Sequence, residues 1–349
     1  MLRISVLFLA LLSAGCVSLD PTYQRPQAPV PATLPGGSGQ AQAVATEWQQ
    51  IVNDSRLKQV VSNALTQNRD VQKAIADIDA ARALYAEDRA ALFPTVNAEL
   101  SNTRSRTVAG GLTSSAEADG AVSSFELDLF GRNQSLARAE RETWLASEYT
   151  AQNTRLSLVG EITTAWVTLA ADNSNLALAR QTMESAQNSL NIAKRRQTIG
   201  VAAAGDTAQA MAVFQQARAS VASYQTQVMQ DKNALNLLAG ETVPEALLPG
   251  TLESLGDNSI TLTPAGVSSS VLLRRPDIPE AEHNLKSANA NNGAARANFL
   301  PTIPLTDSAG AGSSSLSPLF SHGPKVLSLA PSIQLPLLTG RAHTAQSQC

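Results

Sequence analysis

Asp70–Val96, DVQKAIADIDAARALYAEDRAALFPTV, and Asp277–Ile303, DIPEAEHNLKSANANNGAARANFLPTI, are one stretch written twice at a constant offset of 207. Asp70, Ala74, Ala81, Ala83, Arg89, Ala90, Pro94 and Thr95 fall on Asp277, Ala281, Ala288, Ala290, Arg296, Ala297, Pro301 and Thr302 without a gap. Val71/Ile278, Ile78/Leu285 and Val96/Ile303 exchange one apolar residue for another in register, as expected when two copies of a supersecondary unit bury the same face. The chain is therefore an internal duplication. Gly131-Arg132 closes an apolar, alternating segment in the first copy and Gly340-Arg341 closes its counterpart in the second. The first copy runs on from Arg132 as far as Gly240, whereas Cys349 follows closely on Arg341, so the second copy is expected to lack its final part.

Outward from this repeat the first copy is legible as helix, strand pair and rod. Leu57, Val60, Val61, Ala64 and Leu65, then Val71, Ala74, Ile75, Ile78, Ala81 and Leu84, predict one unbroken helix over 54–93, with Asp54 as its cap and Pro94 as its stop. Val96, Ala98 and Leu100 alternate with polar neighbours, as do Phe125, Leu127 and Leu129, which predicts a hairpin of half-buried strands across a loop rich in Gly, Ser and Thr. The stretch from Asn133 to Thr198 contains no proline and one glycine, Gly160. A helix of that length spans about 100 Å, too long for the interior of a compact domain. Gly200 breaks it, and a return helix is predicted from Asp206 to Ala239, about half as long as its partner. The helix over 54–93 has the missing length, so it is expected to stack end to end with the return helix and cover the rest of the apolar stripe. The second copy opens at Arg274-Arg275-Pro276-Asp277; its better preserved strand alternates from Leu327 to Leu337. Asp70 and Asp277 are expected to cap their helices, and Pro94/Pro301 and Gly131/Gly340 to mark the helix–strand corners.

The ends and the composition narrow the class. Arg3, an apolar run from Val6 to Leu12, and Ser13-Ala14-Gly15 before Cys16 read as an export signal over 1–15, too short for a membrane-crossing helix, with Cys16 as the lipidated residue. Residues 16–48, rich in proline, form an extended tether. The other cysteine, Cys349, gives no disulfide framework. A net charge of −3 leaves no basic footprint for nucleic acid. Aromatic residues make up 4% of a chain rich in alanine, which suits closely approaching helices rather than a bulky core. His283, His322 and His343 lack metal-ligand spacing, and no nucleophile elbow or phosphate-binding loop is present, so catalysis, a metal and a cofactor are not expected. Trp144, Trp166 and Tyr149 read as packing residues of the rod; Phe125 and Phe130 suit a membrane interface.

Three segments in order, Phe125-Glu126-Leu127-Asp128-Leu129-Phe130-Gly131-Arg132, Leu273-Arg274-Arg275-Pro276-Asp277-Ile278 and Ala288-Asn289-Ala290-Asn291-Asn292-Gly293-Ala294-Ala295-Arg296-Ala297, resemble the outer-membrane efflux proteins of the TolC type, in their OprM-like lipoprotein branch. The resemblance implies a mainly α fold with membrane β-strands. In it, a long helical hairpin forms a tunnel and four strands per chain join a shared 12-stranded barrel of a homotrimer. A second helical hairpin of the family has no counterpart here. The division that follows is 1–15 signal, 16–48 tether, 49–266 first repeat, 267–341 shortened second repeat and 342–349 a tail unlike the family.

The implied function is passive export through the outer membrane of a Gram-negative cell, as the exit duct of a tripartite pump. Its partners would be a periplasmic adaptor and an inner-membrane transporter of the RND type. Ile199, Gly200, Val201, Asp206 and Thr207 match the family's periplasmic tip, where the adaptor would meet the channel. The same turn is also explained without a partner, Gly200 ending one helix and Asp206 capping the next. Two other readings of the chain stand beside the duct: a shortened member that does not assemble, and a periplasmic helical scaffold lipoprotein.

Overall fold

The computed structural model describes residues 18–27, 29–30, 47–106, 111–256, 259–262, 268–314, 325–338 and 342–346. The signal segment, Cys16, His322, the Gly340-Arg341 corner and Cys349 lie outside the described residues. The helices are α1 (Trp48–Ile51), α2 (Ser55–Gln67), α3 (Arg69–Ala90), α4 (Arg132–Thr198), α5 (Ala204–Ala239), α6 (Asp277–Ala297) and α7 (Ala342–Gln346); the strands are β1 (Val96–Arg106), β2 (Leu112–Glu126), β3 (Pro304–Ser313) and β4 (Lys325–Pro331). The repeat is preserved in space: shifting α3 and β1 by 207 positions lands them on α6 and β3 to within a residue or two.

The chain divides into two compact units, and each draws on both repeats. One holds the N-terminal residues through Ala28, Ile78–Glu148 and Pro279 onward. Its sheet is a four-stranded antiparallel meander in the order β1-β2-β3-β4. Registers place Ala98 opposite Gly120, Gly120 opposite Ala309 and Ala309 opposite Leu327, and the next row on that face is Leu100, Ala118, Ala311 and Lys325. The other face carries Asn97, Ala121, Ser308 and Ser328, then Glu99, Asp119, Gly310 and Val326, then Ser101, Glu117 and Gly312. Because side chains alternate across a strand, the first face is mainly apolar, interrupted by Lys325 and by Asp307 in the row Val96, Val122, Asp307 and Leu329, while the other is mainly polar and acidic.

Two strand expectations change here. Of the strand expected over 125–129 only Phe125 and Glu126 are in one: β2 ends at Glu126, and residues 127–131 turn into α4. The segment read as a loop is most of β2. Its alternation is hidden in the sequence because Ala116, Ala118, Gly120 and Ala121 occupy positions flanked by neighbours on both sides, where small residues suffice. In the second copy β4 stops at Pro331, and a Ser332 N to Pro304 carbonyl hydrogen bond at 3.1 Å and a Thr302–Gln334 bridge continue the pairing.

The other unit holds Pro29–Asp77 and Tyr149–Ile278. Leu57, Val60, Val61 and Ala64 lie at i, i+3, i+4 and i+7, so they line one stripe of α2. That stripe shares a core with Leu158, Ile162, Trp166 and Leu169 of α4 and Val221, Val228 and Leu235 of α5. Full burial of each such aliphatic side chain is worth about 2 kcal/mol. Trp166 is 0% exposed, and its Nε1 donates to the Leu247 carbonyl at 3.1 Å, so the largest ring in the core leaves no polar atom unpaired. Packing is thus its role, as the sequence suggests. Asp54 caps α2 as expected, accepting from Arg56 N at 2.8 Å and Leu57 N at 3.3 Å.

The single helix predicted over 54–93 is broken at Asn68, whose φ and ψ are −61° and 133°. Asn68 Oδ1 accepts from Asp70 N at 2.8 Å and Val71 N at 3.1 Å, capping α3, while its Nδ2 donates to the Leu238 carbonyl at 2.9 Å near the end of α5. One buried amide thus satisfies a helix start and a helix finish, and the end of α5 meets the start of α3 as the length argument requires. Asp70 sits in the first turn of α3, where its charge favours the helix dipole, and is not the cap. Asp277 is likewise inside α6, held by Arg275 Nε at 3.1 Å and Nη2 at 2.6 Å.

Candidate functional site: the strand base, the strap seat and the rod tip

The segment from Phe125 to Arg132 makes the turn from sheet to helix, and each polar residue in it has a task. Gly131 takes a φ of 71°. Asp128 Oδ2 accepts from Gln134 N at 2.9 Å, which satisfies a free donor of the first turn of α4. Arg132 Nη1 reaches Glu126 Oε2 at 3.1 Å and its Nε donates to Asn298 Oδ1 at 3.0 Å, tying the end of β2 to the residue after α6. Phe125 pairs with Leu305, and Leu305 with Pro331, so a bulky apolar row edges the sheet at this end.

Beside this corner, residues from Ser18 on lie across α4 and α6. The Asp20 carboxylate takes Arg138 at 2.8 Å from Nε and 2.7 Å from Nη2, and its Oδ1 is 2.6 Å from Ser135 Oγ. Arg138 Nη2 also donates to Ser18 Oγ at 2.9 Å. On α6, Asn289 Nδ2 donates to the Pro21 carbonyl at 2.7 Å, and Gly293 faces Asp20 so closely that a Cβ there would fall within its carboxyl group. Arg25 and Glu282 add an ion pair at 3.3 Å. Both Arg138 nitrogens meet the one oxygen Oδ2 while Ser135 takes Oδ1, and hydrogen bonds between ionised partners are stronger than neutral ones. By sequence alone the segment is a featureless tether. Its one available signal is Asp20, the sole acidic residue before Glu47.

At the far turn, α4 ends at Thr198 and Gly200 adopts a φ of 77° with open space around it. Ile199 and Val201 are exposed, and so is Asp206, although its Oδ2 accepts from Ala203 N at 3.2 Å. Thr207 is half-buried, its Oγ1 3.5 Å from the Ala193 carbonyl on the opposite helix. Four of the five residues singled out therefore present themselves at the surface of the tip, and Thr207 braces it. Cys16 lies outside the described residues.

Midway along the hairpin, Asp231 of α5 faces Asp172 of α4. Burial, then the hydrogen bond and charge of Asp172, raise the Asp231 carboxyl above its ordinary range, while Gln227 Nε2 donates to its Oδ1 at 3.0 Å. Asn175 donates to Asp172 at 3.0 Å, and the adjacent Lys232 is taken by Glu245 at 2.9 Å. A carboxyl whose folded pKa exceeds its unfolded one binds its proton more tightly in the fold, so stability is lost as pH rises through the raised value and regained as pH falls through it. Asp231→Asn is expected to raise the melting temperature at pH 7.5, with the gain shrinking as pH falls toward 4. A gain that stays constant with pH would remove the carboxyl pair as its cause.

Among the described residues no cluster of metal-ligating side chains occurs, and no helix is long and apolar enough to cross a membrane.

The outer membrane efflux protein family matches residues 60–241 and 267–348. The chain is 40% identical over 348 residues to the probable efflux pump outer membrane protein TtgC of Pseudomonas putida, with 96% of this chain and 71% of that protein covered. Among solved structures it is similar to a membrane protein from Pseudomonas aeruginosa at a TM-score of 0.83 and 36% identity, covering 95% of this chain and 76% of that one. It is also similar to the open state of the MtrE outer membrane channel of Neisseria gonorrhoeae, with a TM-score of 0.80, 32% identity, and 95% and 75% coverage.

Proposed function

This chain belongs to the outer membrane efflux protein family, a non-enzymatic class of outer-membrane channels of tripartite efflux pumps, and we propose that it acts there as one third of a passive, lipid-anchored exit duct. The observation that supports the reading is the sheet: four strands with one mainly apolar face, one mainly polar and acidic face, and, among the described residues, unpaired edges at β1 and β4. In lipid each unpaired backbone group costs several kcal/mol, so an open sheet cannot stay there alone. Joining β4 of one copy to β1 of the next removes the edges, and three copies give 12 strands with the acidic face toward water. Transport then needs no chemistry from the chain, only a polar lumen. The partner transporter selects the cargo and supplies the energy.

Two finer elements belong to the same proposal. Cys16 carries the acyl chains, and the seat for Asp20 holds the adjoining segment at the strand base. The tip formed by Ile199, Gly200, Val201 and Asp206, braced by Thr207, receives a periplasmic adaptor, and the inner-membrane transporter of the RND type completes the assembly. Purified from outer membranes, the chain is expected to run as a trimer when unheated, to conduct ions in a planar bilayer, and to crosslink to an adaptor from Val201→Cys. Monomers that never conduct would overturn the duct. Conducting trimers without that crosslink would overturn only the tip.

A further inference from the structure

Arg82, Ala86 and Arg89 lie at i, i+4 and i+7 on one stripe of α3, and Phe93 follows in the turn between α3 and the start of the sheet at Val96. With Tyr85 and Ala90 of the same helix and Trp144 of α4 they line a recess of about 600 Å³. Its floor is aromatic: Tyr85 and Trp144 stack with centroids 5.9 Å apart and planes 13° from parallel, and the Arg82 guanidinium lies 5.8 Å from the Trp144 ring centre. Its rim is cationic. No carboxylate lines it, and neither Arg82 nor Arg89 enters an ion pair among the described residues. Asp88, next to Arg89 in sequence, instead acts on Glu140 of α4, whose carboxyl is held above its ordinary range by burial and then by that charge. The Trp144 Nε1–H is shielded from solvent and has no acceptor among the described residues. Phe93, at the end nearest the sheet, is 63% exposed.

A donor without an acceptor, two unneutralised guanidiniums and an exposed ring beside a membrane sheet ask for a ligand that is anionic at one end and apolar at the other. We propose that this recess binds the headgroup of an anionic glycerophospholipid from the periplasmic leaflet. Arg82 and Arg89 hold the phosphate, since the planar guanidinium fork matches its oxygens. The Trp144 N–H meets a phosphate or ester oxygen, and the acyl chains leave past Phe93 along the apolar face of the sheet. Basic pockets flanked by interfacial aromatics are the usual means of holding lipid headgroups. The site requires only the outer-membrane location of the family; it is independent of trimer formation, adaptor binding and acylation of Cys16.

The test uses the full chain in neutral detergent, titrated with short-chain phosphatidylglycerol and followed by calorimetry. Saturable binding is expected, reduced at least tenfold by Arg82→Gln with Arg89→Gln and only a few-fold by Arg82→Lys with Arg89→Lys, with unchanged helical circular dichroism in both. Short-chain phosphatidylcholine is expected to bind more weakly than phosphatidylglycerol, and inorganic phosphate at the same concentration not to compete. Equal binding by the glutamine variant would overturn the proposal. So would full competition by inorganic phosphate, which would mark a free-anion site, or an Ala86→Cys chain that forms a disulfide with a second copy and no longer admits lipid.

Discussion

Gly240→Ala is expected to destabilise the rod by about 3 kcal/mol or more, because two costs fall on one atom. The residue ends α5 at a φ of 74°, where a side chain is strained. A Cβ there would also lie 2.5 Å from the Gln67 carbonyl oxygen and 2.7 Å from its carbon, which are backbone atoms with nowhere to go. They belong to the joint where Asn68 caps α3 and holds the Leu238 carbonyl, so relieving the overlap loosens three hydrogen bonds at once. Gly200→Ala is the control. Its φ of 77° carries the same strain, but nothing lies within 4 Å, so about 1 kcal/mol is expected. Urea unfolding followed by helical circular dichroism reads both, and equal losses at the two glycines would show that the joint is not tightly packed.

Gly293→Ala is expected to unseat the N-terminal strap. The added methyl needs the space held by the Asp20 carboxyl, so the ion pair with Arg138 breaks and Arg138 is left facing a half-buried pocket. Losing a charged hydrogen bond of this kind costs about 2–3 kcal/mol. Amide hydrogen exchange over residues 18–27 is expected to rise at least tenfold. The sign should reverse in an Asp20→Ala background. There the methyl meets chiefly the Asp20 Cα position, 2.9 Å away, which a small shift of the strap relieves. An alanine inside a helix is then worth up to about 1 kcal/mol over glycine. Such non-additivity is the mark of direct contact, and simple addition of the two effects would refute the seat.

Where the sequence is readable, one periodicity dominates. The long helix over 132–198 and its return are written as uninterrupted 3.6-residue rhythm, and local hydrogen bonding is enough to realise them. The glycines at 131 and 200 and the cap at Asp54 are visible because backbone strain and end-capping are local properties as well. The break at Asn68 is not. An asparagine inside a helical pattern is tolerated on local grounds, and only the arrival of the Leu238 carbonyl from 170 positions away makes a cap worth more there than another helical turn. The same holds for β2, whose alanines and glycines carry little alternation until neighbours on both sides fix their register.

The duplication, the rod and the family were thus settled by sequence, since they rest on periodicity and on residues spaced at fixed offsets along one chain. The strap seat, the helix joint and the arginine–aromatic recess were decided by tertiary structure. Each joins groups from segments far apart in sequence, such as Asp20 with Ser135, Arg138 and Gly293, and side-chain hydrogen bonds and charge pairs act over only a few ångströms, so no linear pattern records them.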